Sequence, residues 1–167
     1  MNSFRVQSGM TLVEMVISIV LISIAVTAVL SAFSTTMGRS SDSLWKNKSL
    51  KLAQLYLDEI LSKKYDSSTP LGGVPASTTI TCPIPAGGGG NRALYDNVDD
   101  YNGINDSPPK LVSGALANYT GYSVQVSVAC AGNEVGIADN SKAKRITVSI
   151  TPPNQSPMPF SVYRGNY

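Results

Sequence analysis

The sequence of 167 residues contains no histidine, only two cysteines and 14% charged residues. The lack of histidine excludes histidine-dependent catalytic triads and the common histidine-based zinc and iron sites. Two thiols are also too few for a four-thiolate metal site. The remaining catalytic options, a carboxylate pair or a Ser-Lys dyad, are not marked by any pattern. A formal charge of +2 gives no reason to expect a nucleic-acid partner. We therefore predict a protein that is not an enzyme and binds no nucleic acid.

A long uncharged run occupies the amino-terminal part of the chain, from Met15 to Gly38. A helix of this length would reach roughly 36 Å, whereas the hydrocarbon layer of a membrane is about 30 Å thick. A buried core helix is disfavoured because the run is apolar on all sides. A secretory signal peptide is disfavoured because the apolar region of such a peptide is shorter than this run. The run predicts a transmembrane helix, and the positive charge of Arg5 and the terminal amine predicts that the rest of the protein lies outside the cytoplasm.

Glu14 stands at the head of this run, where a carboxylate is costly and usually functional. The alternative is a helix-initial acid that the helix dipole favours. Residues 8–16 read SGMTLVEMV. This segment resembles the processing site of type IV prepilins and pseudopilins, in which a short polar leader ends in glycine and a glutamate occupies the fifth mature position. The resemblance implies that residues 1–9 are a leader peptide and that a prepilin peptidase cleaves between Gly9 and Met10. It further implies that Met10 is N-methylated and that Glu14 acts in filament assembly.

A second helical pattern follows the apolar run. Its apolar stripe recurs at helical spacing and consists of Ala53, Tyr56, Leu57, Ile60 and Leu61. The simplest interpretation is one helix from Met10 to Tyr65, with residues 10–38 in the membrane or filament core and residues 39–66 as an amphipathic half. The sequence leaves open whether the helix breaks near Gly38.

The rest of the chain is predicted to be a loop region followed by a sheet. Residues 67–120 are rich in turn-forming residues, and the run Gly87–Gly90 is typical of a flexible surface segment. Three patterns of alternating apolar residues predict strands at Tyr122–Cys130, Ile146–Thr151 and Phe160–Tyr163. Residues 121–167 are therefore predicted to form a three-stranded antiparallel sheet, and a short strand at Thr78–Cys82 would bring the sheet from three to four strands. Together with the resemblance, this predicts an α+β type IV pilin fold, with the long helix packed on the sheet.

The two cysteines and an acidic cluster of the globular part each allow two interpretations. Cys82 and Cys130 are predicted to form a disulfide in an oxidising compartment, and the alternative is a pair of free buried thiols. An acidic cluster offers oxygen ligands that suit Ca²⁺, although its spacing is not that of an EF-hand. The alternative is a solvated loop of Asx turns, and no other cofactor is expected. The candidate calcium ligands are Asp96, Asp99, Asp100 and Asp106.

Several segments also resemble the D-type minor pilins of mannose-sensitive haemagglutinin (MSHA) pilus systems. The segments are Leu52–Asp66, Asp96–Pro109, Tyr119–Ala129, Lys144–Pro153 and Ser161–Tyr167. This resemblance implies a minor structural subunit that helps to initiate or tip a pilus. Its expected partners are prepilin peptidase, major and minor pilins, an inner-membrane assembly platform and membrane lipid. It would span the inner membrane once, with its head in the periplasm, and reach the cell surface after assembly. The alternatives are a pseudopilin of a type II secretion system and a single-span binding protein.

Overall fold

A 50-residue helix, α1, runs from Leu12 to Leu61. The computed structural model describes residues 11–70 and 73–166, and residues 35–42 by their backbone alone. The chain divides into two compact units between Leu44 and Trp45. The helix contributes residues to both units and continues past Gly38 without a break. The predicted long amino-terminal helix is thus confirmed.

The end of α1 lies at Leu61, before the predicted end at Tyr65. The backbone of Lys64 pairs instead with a later segment, since its N–H donates to the Asp96 carbonyl at 3.1 Å and its carbonyl accepts from Val98 N–H at 3.0 Å. The guanidinium of Arg164 donates to the Leu61 carbonyl at 3.2 Å. A helix end leaves such carbonyls free, so Arg164 stabilises this stop. The prediction was wrong at this end because a tertiary bridge competes with the last helical turn.

The buried stripe of α1 is rotated from the predicted one. Ala53, Tyr56 and Ile60 are fully buried as predicted, but Leu61 is 38% exposed and Leu57 is half-buried. Two residues outside the predicted stripe, Ser49 and Leu52, are fully buried in their place. Leu57 still packs against the core as predicted. The prediction was wrong for Leu61 because this residue extends the same helical spacing on to the exposed side of the helix.

Six strands follow α1 within the residues that the structure describes. They are β1 (Asn105–Asp106), β2 (Lys110–Leu111), β3 (Gly114–Ala115), β4 (Ser123–Cys130), β5 (Ala143–Thr151) and β6 (Met158–Gly165). The main sheet is antiparallel with the order β1-β4-β5-β6, and β2 and β3 form a separate pair. This confirms the predicted α+β class and the predicted small antiparallel sheet. In the β5–β6 turn, Gln155 N–H donates to the Pro152 carbonyl at 3.2 Å.

The predicted strand at Thr78–Cys82 is not formed, since residues 78–82 are all described and have no strand pairing. Cys82 is followed by Pro83, which has no N–H to give to a sheet ladder. The fourth position in the sheet belongs instead to β1. Beyond β1, the edge of β4 is closed by the loop before it, because Val126 exchanges two backbone hydrogen bonds with Gly103 and Ile104, both of 3.0 Å.

The core lies between the buried stripe of α1 and the inner face of the sheet. The alternating apolar residues of β4 and β5 are each no more than 4% exposed, which confirms the predicted phase of both strands. These residues are Val124, Val126, Val128, Ile146, Val148 and Ile150. They join one hydrophobic cluster with five tyrosines and with Leu52, Ala53 and Ile60 of α1. Full burial of each aliphatic side chain contributes about 1.5–3 kcal/mol.

The segment between α1 and β4 is folded against the core. Its described residues form three short 3₁₀ helices, at Arg92–Leu94, Val98–Tyr101 and Ala117–Tyr119. Two more are described after β4, at Gly132–Val135 and Asn140–Lys142. Gly89 and Gly90 of the glycine run are at the surface as predicted, but the first half of the run is held against the chain. The N–H groups of Gly87 and Gly88 both donate to the Asn102 carbonyl at 2.8 Å. A Cβ on Gly88 would lie 2.3 Å from the backbone nitrogen of Ile104, so only glycine allows this approach.

We predict that Gly88→Ala destabilises the protein by about 2 kcal/mol or more, because two backbone segments would have to separate. Gly89→Ala is the matched control, since a Cβ at Gly89 meets nothing within 4 Å. Unfolding of the full chain in detergent can be followed through the fluorescence of its single tryptophan, Trp45, whose ring centroid lies 6.1 Å from that of Tyr122. Equal stability of the two variants would contradict the close packing.

Candidate functional site

The predicted cleavage and methylation positions, Gly9 and Met10, lie outside the described residues, as does the leader of residues 1–9. The described chain begins at Thr11, directly before α1. The Thr11 hydroxyl accepts a hydrogen bond of 3.3 Å from Glu14 N–H, and the Thr11 carbonyl accepts one of 3.2 Å from Met15 N–H. Thr11 is therefore the amino-terminal cap of α1. The spacing Thr-x-x-Glu is that of a capping box, which explains why the helix begins here.

Glu14 is an exposed residue in the first turn of α1. In that position its negative charge interacts favourably with the helix dipole. The position of Glu14 therefore agrees with the simpler of the two interpretations, a helix-initial acid that the helix dipole favours. Its role in filament assembly requires a second subunit and stays a prediction.

The segment from Leu12 to Ser34 is long and apolar enough to cross a membrane, with a mean hydropathy of 2.6. None of this span is buried within the protein. Two of its hydroxyl groups bond inside the helix, since Ser18 donates to the Glu14 carbonyl at 2.7 Å and Ser23 to the Ile19 carbonyl at 2.8 Å. Such internal bonds suit a segment that is surrounded by lipid or by other apolar helices.

A family model that describes the prokaryotic N-terminal methylation motif matches residues 4–30. The chain carries a prepilin-type amino terminus. The match includes Gly9, Met10 and Glu14 and most of the apolar segment, and it supports a type IV pilin-like or pseudopilin-like subunit. The family of this motif is structural and not enzymatic. No curated protein and no solved structure matches the chain.

The methylation motif implies processing by a prepilin peptidase and assembly with other pilins. It covers the amino-terminal part alone, so it assigns no role to the unit that begins at Trp45. The candidate site residues of that unit have to be judged from their contacts.

Cys82 and Cys130 form the predicted disulfide, with a Cα–Cα distance of 6.1 Å. The bond joins the segment after α1 to the last residue of β4. A cross-link of this kind contributes about 4 kcal/mol for a loop of this size, chiefly by restricting the unfolded chain. The predicted tie between the irregular segment and the first long strand is thus confirmed.

Each of the four candidate calcium ligands has its own protein partner. Asp96 pairs with Lys64 at 3.2 Å and Asp99 with Lys144 at 2.6 Å. The Asp100 carboxylate accepts from the N–H of Asp96 at 2.9 Å, and Asp106 pairs with Arg92 at 2.5 Å. Within residues 11–70 and 73–166, no three carboxylate or thiol groups gather as metal ligands would. Calcium binding by this cluster stays an untested prediction.

The alternative interpretation of the acidic segment, a loop of Asx turns, describes its hydrogen bonds. Asn97 caps the 3₁₀ helix that follows it, since its side-chain oxygen accepts from Asp99 N–H at 2.9 Å. The Asp100 carboxylate reaches back to the N–H of Asn97 at 3.2 Å, which completes a capping box. These carboxylates order the local backbone and hold it in place.

Arg92 is the centre of a buried ionic cluster that the sequence analysis missed. Its side chain is 8% exposed and lies between two carboxylates, with Nε 2.7 Å from Glu59 and Nη1 2.5 Å from Asp106. Its guanidinium also stacks over the rings of Tyr56 and Tyr101, 4.8 Å and 5.4 Å from their centroids. The two tyrosine hydroxyls donate to the same carboxylates, at 2.8 Å to Asp106 and 3.1 Å to Glu59. The cluster fastens the segment after α1 to the helix.

Lys144 is the centre of a second cluster and is fully buried. Its ammonium lies 2.6 Å from Asp99, 3.7 Å from Asp66 and 2.7 Å from the Tyr65 carbonyl to which it donates. Burial raises the pKa of the Asp99 carboxyl despite the neighbouring ammonium. A signal for this site exists in the sequence: Lys144 shares the alternating phase of Ile146 and Val148, so it falls on the inner face of β5. A charge on that face requires buried partners.

We predict that Arg92→Met destabilises the protein by about 3–5 kcal/mol, because it leaves two carboxylates buried without a cation. Lys64→Met is the matched control. It removes the cation of the more exposed Lys64–Asp96 pair and is expected to cost about 1 kcal/mol or less. Denaturant unfolding of the full-length protein in detergent compares the two variants. A cost for Arg92→Met no greater than that for Lys64→Met would contradict the anchoring role.

Proposed function

We propose that this protein is a minor structural subunit of a type IV pilus of the MSHA kind. In this proposal a prepilin peptidase cleaves after Gly9 and methylates Met10, and the subunit then leaves the inner membrane to help initiate or tip a filament. The observation that carries the proposal is the methylation motif over residues 4–30, which overlaps the apolar segment Leu12–Ser34 of α1. None of that segment is buried within the protein. The finer assignment to the MSHA kind depends on the resemblance of the segments after residue 51.

The disulfide supports a head outside the cytoplasm, because such bonds persist in oxidising compartments. The charge of Arg5 and the terminal amine, from which this orientation was predicted, is outweighed by cations on the other side of the apolar segment. Arg5 precedes the segment, but Arg39, Lys46, Lys48 and Lys51 follow it. By the positive-inside rule this excess would favour the opposite orientation. The oxidised cysteines therefore carry the proposed orientation.

The proposed assembly step gives Glu14 a second use. Cleavage after Gly9 creates a new amino group on Met10, four residues before Glu14. Within a bundle of packed apolar helices, a lone carboxylate or a lone ammonium would be strongly penalised. Pairing Glu14 with the amine of a neighbouring subunit neutralises both charges and favours one axial register. Before assembly, the first helical turn lies close to the headgroups, where both charges are solvated.

A pseudopilin of a type II secretion system is the second candidate, since the same motif supports it. The two candidates differ in where the filament is found. A pilus subunit is recovered from filaments sheared off the cell surface, whereas a pseudopilin is retained in the periplasm.

We predict that Glu14→Gln is processed normally but enters sheared surface filaments about tenfold less than the wild type, because the amine of the neighbour is left unpaired. Glu14→Asp keeps the charge and is expected to retain more incorporation, and Ser18→Ala, one turn further, serves as the control for a change in the same helix. The measurement is the ratio of tagged subunit in sheared filaments to subunit in membranes, with the length of the amino terminus determined in both.

Normal incorporation of Glu14→Gln would contradict the assembly role of the carboxylate. Wild-type protein that is processed but confined to the periplasm would favour the pseudopilin. Wild-type protein that keeps residues 1–9 in cells with an active prepilin peptidase would favour a membrane-anchored binding protein.

A further inference from the structure

The fully buried Lys144 has its ammonium against two carboxyl groups that come from distant parts of the chain. Its Nζ lies 2.6 Å from Oδ1 of Asp99 and 3.7 Å from Oδ2 of Asp66. The side chains of Asp99 and Asp66 are only 18% and 10% exposed. The ring of Tyr65 covers the ammonium, with its centroid 4.2 Å from Nζ. A primary amine, a carboxyl group within its reach and a second carboxyl group thus meet in a nearly dry site.

The backbone holds each of the three side chains in place. Lys144 lies in β5, where its backbone is paired with β4 on one side and with β6 on the other. Asp99 lies in the 3₁₀ helix Val98–Tyr101, whose capping box fixes its start. The Asp66 carbonyl accepts from Thr69 N–H at 3.0 Å, which closes a turn after α1. Groups that a fold holds in contact react far faster than free groups, because the entropy of bringing them together is already lost.

The two carboxyl groups differ in their hydrogen bonds. Oδ1 of Asp66 accepts from the N–H of Ser68 at 2.9 Å and from the Ser68 hydroxyl at 2.6 Å. Oδ1 of Asp99 is buried with no hydrogen-bond partner among the described residues, and its close contact with Lys144 lacks the alignment of a hydrogen bond. Hydrogen bonds favour an ionised carboxylate, whereas burial without them favours the neutral acid. Asp66 is therefore the better proton acceptor, and Asp99 is the better target for attack by an amine.

We propose that Lys144 and Asp99 condense to an isopeptide bond between Nζ and Cγ, with Asp66 as the proton acceptor. Asp66 takes one proton from the Lys144 ammonium, and the neutral amine attacks Cγ of the protonated Asp99. Asp66 then gives its proton to the departing hydroxyl group of Asp99 and receives a second proton from the nitrogen. One C–N bond forms, one C–O bond breaks and one water leaves. The condensation uses no oxidant, reductant or other reactant.

This modification is independent of the proposed function, because all three residues belong to the unit that begins at Trp45. It occurs once in each chain, so it is a self-modification and not enzymatic turnover. The new bond joins β5 to the segment between α1 and β4, which the Cys82–Cys130 disulfide already ties to β4. Thiols exchange with a disulfide but not with an amide, so this second link also persists under reducing conditions.

The test is tryptic digestion and mass spectrometry of the full-length protein, purified from membranes of cells that make it and then reduced and alkylated. Trypsin cleaves after free lysine and arginine, so unlinked groups give a peptide of residues 93–110 and cleavage after Lys144. An isopeptide bond blocks cleavage at Lys144. We expect a branched peptide that joins residues 93–110 to residues 143–145 and is lighter than their sum by one water, about 18 Da. Fragmentation of this peptide is expected to place the link at Asp99.

Lys64 and Asp96 are the matched control within the same digest, because they form an ion pair of 3.2 Å at a more exposed place. This pair is expected to stay unlinked, with normal cleavage after Lys64. Equal linkage of both pairs would overturn the inference, because it would show condensation without the buried site. Cleavage after Lys144 in protein that carries the Cys82–Cys130 disulfide would also overturn it, since the disulfide, detected in an unreduced digest, marks the folded chain.

Asp66→Asn tests the proton acceptor, since it keeps the shape of the side chain and removes its charge. We expect the branched peptide to decrease about tenfold or more, and Asp66→Glu, which retains a carboxylate, to recover part of it. Ser67→Ala, at the exposed neighbouring residue, is expected to leave the linkage unchanged. Undiminished linkage in Asp66→Asn would overturn the role of Asp66. The wild-type digest decides whether the bond exists, independently of whether this variant folds.

Discussion

The apolar segment Leu12–Ser34 has to be buried, and its own chain buries none of it. Because the transfer of apolar surface out of water is the main favourable term in folding and association, this segment cannot remain in water. Lipid can cover it before assembly, and packed helices of neighbouring subunits can cover it afterwards. The hydroxyl groups of Ser18, Ser23 and Thr27 are already bonded inside the helix, so neither environment leaves these groups unsatisfied. Glu14 is the one charge in the segment, which makes it sensitive to which environment the helix occupies.

In the unit that begins at Trp45, a long segment of loop-like composition has to be held against the core. This segment, between α1 and β4, is poor in the apolar periodicity that would hold it to a core. Beside its buried apolar residues, one covalent bond and two ionic clusters hold the segment in place: the Cys82–Cys130 disulfide, the Arg92 cluster and the Lys144 cluster. Buried charges of this kind are costly to break, and they require defined positions of their partners. The segment is therefore ordered although its sequence has the composition of a loop.

The features that the sequence predicted well are those with a regular period. The apolar run predicted the spanning helix, and the alternation of Val124, Val126 and Val128 predicted both β4 and its buried face. The methylation motif was recognisable because its glycine, glutamate and apolar run occur in a fixed order.

The features that the sequence predicted poorly depend on contacts between distant residues. The end of α1 is set by pairing of Lys64 with residues 96–98, which no local pattern shows. The close approach of Gly88 to Ile104 is likewise invisible in a run of four glycines. The ionic partners of Arg92 are Glu59 and Asp106, which lie 33 and 14 residues away in the chain. Leu61 was assigned to the buried stripe because spacing alone does not distinguish a core stripe from the exposed side of a helix.

The most direct test of the central claim is the identity of the mature amino terminus. The full-length protein would be extracted from membranes of cells with an active prepilin peptidase, and its amino-terminal peptide would be mapped by mass spectrometry. We expect a chain that begins at N-methylated Met10. A chain that still begins at Met1 would contradict it, because Glu14 would then be a helix-initial acid and the apolar helix a simple anchor.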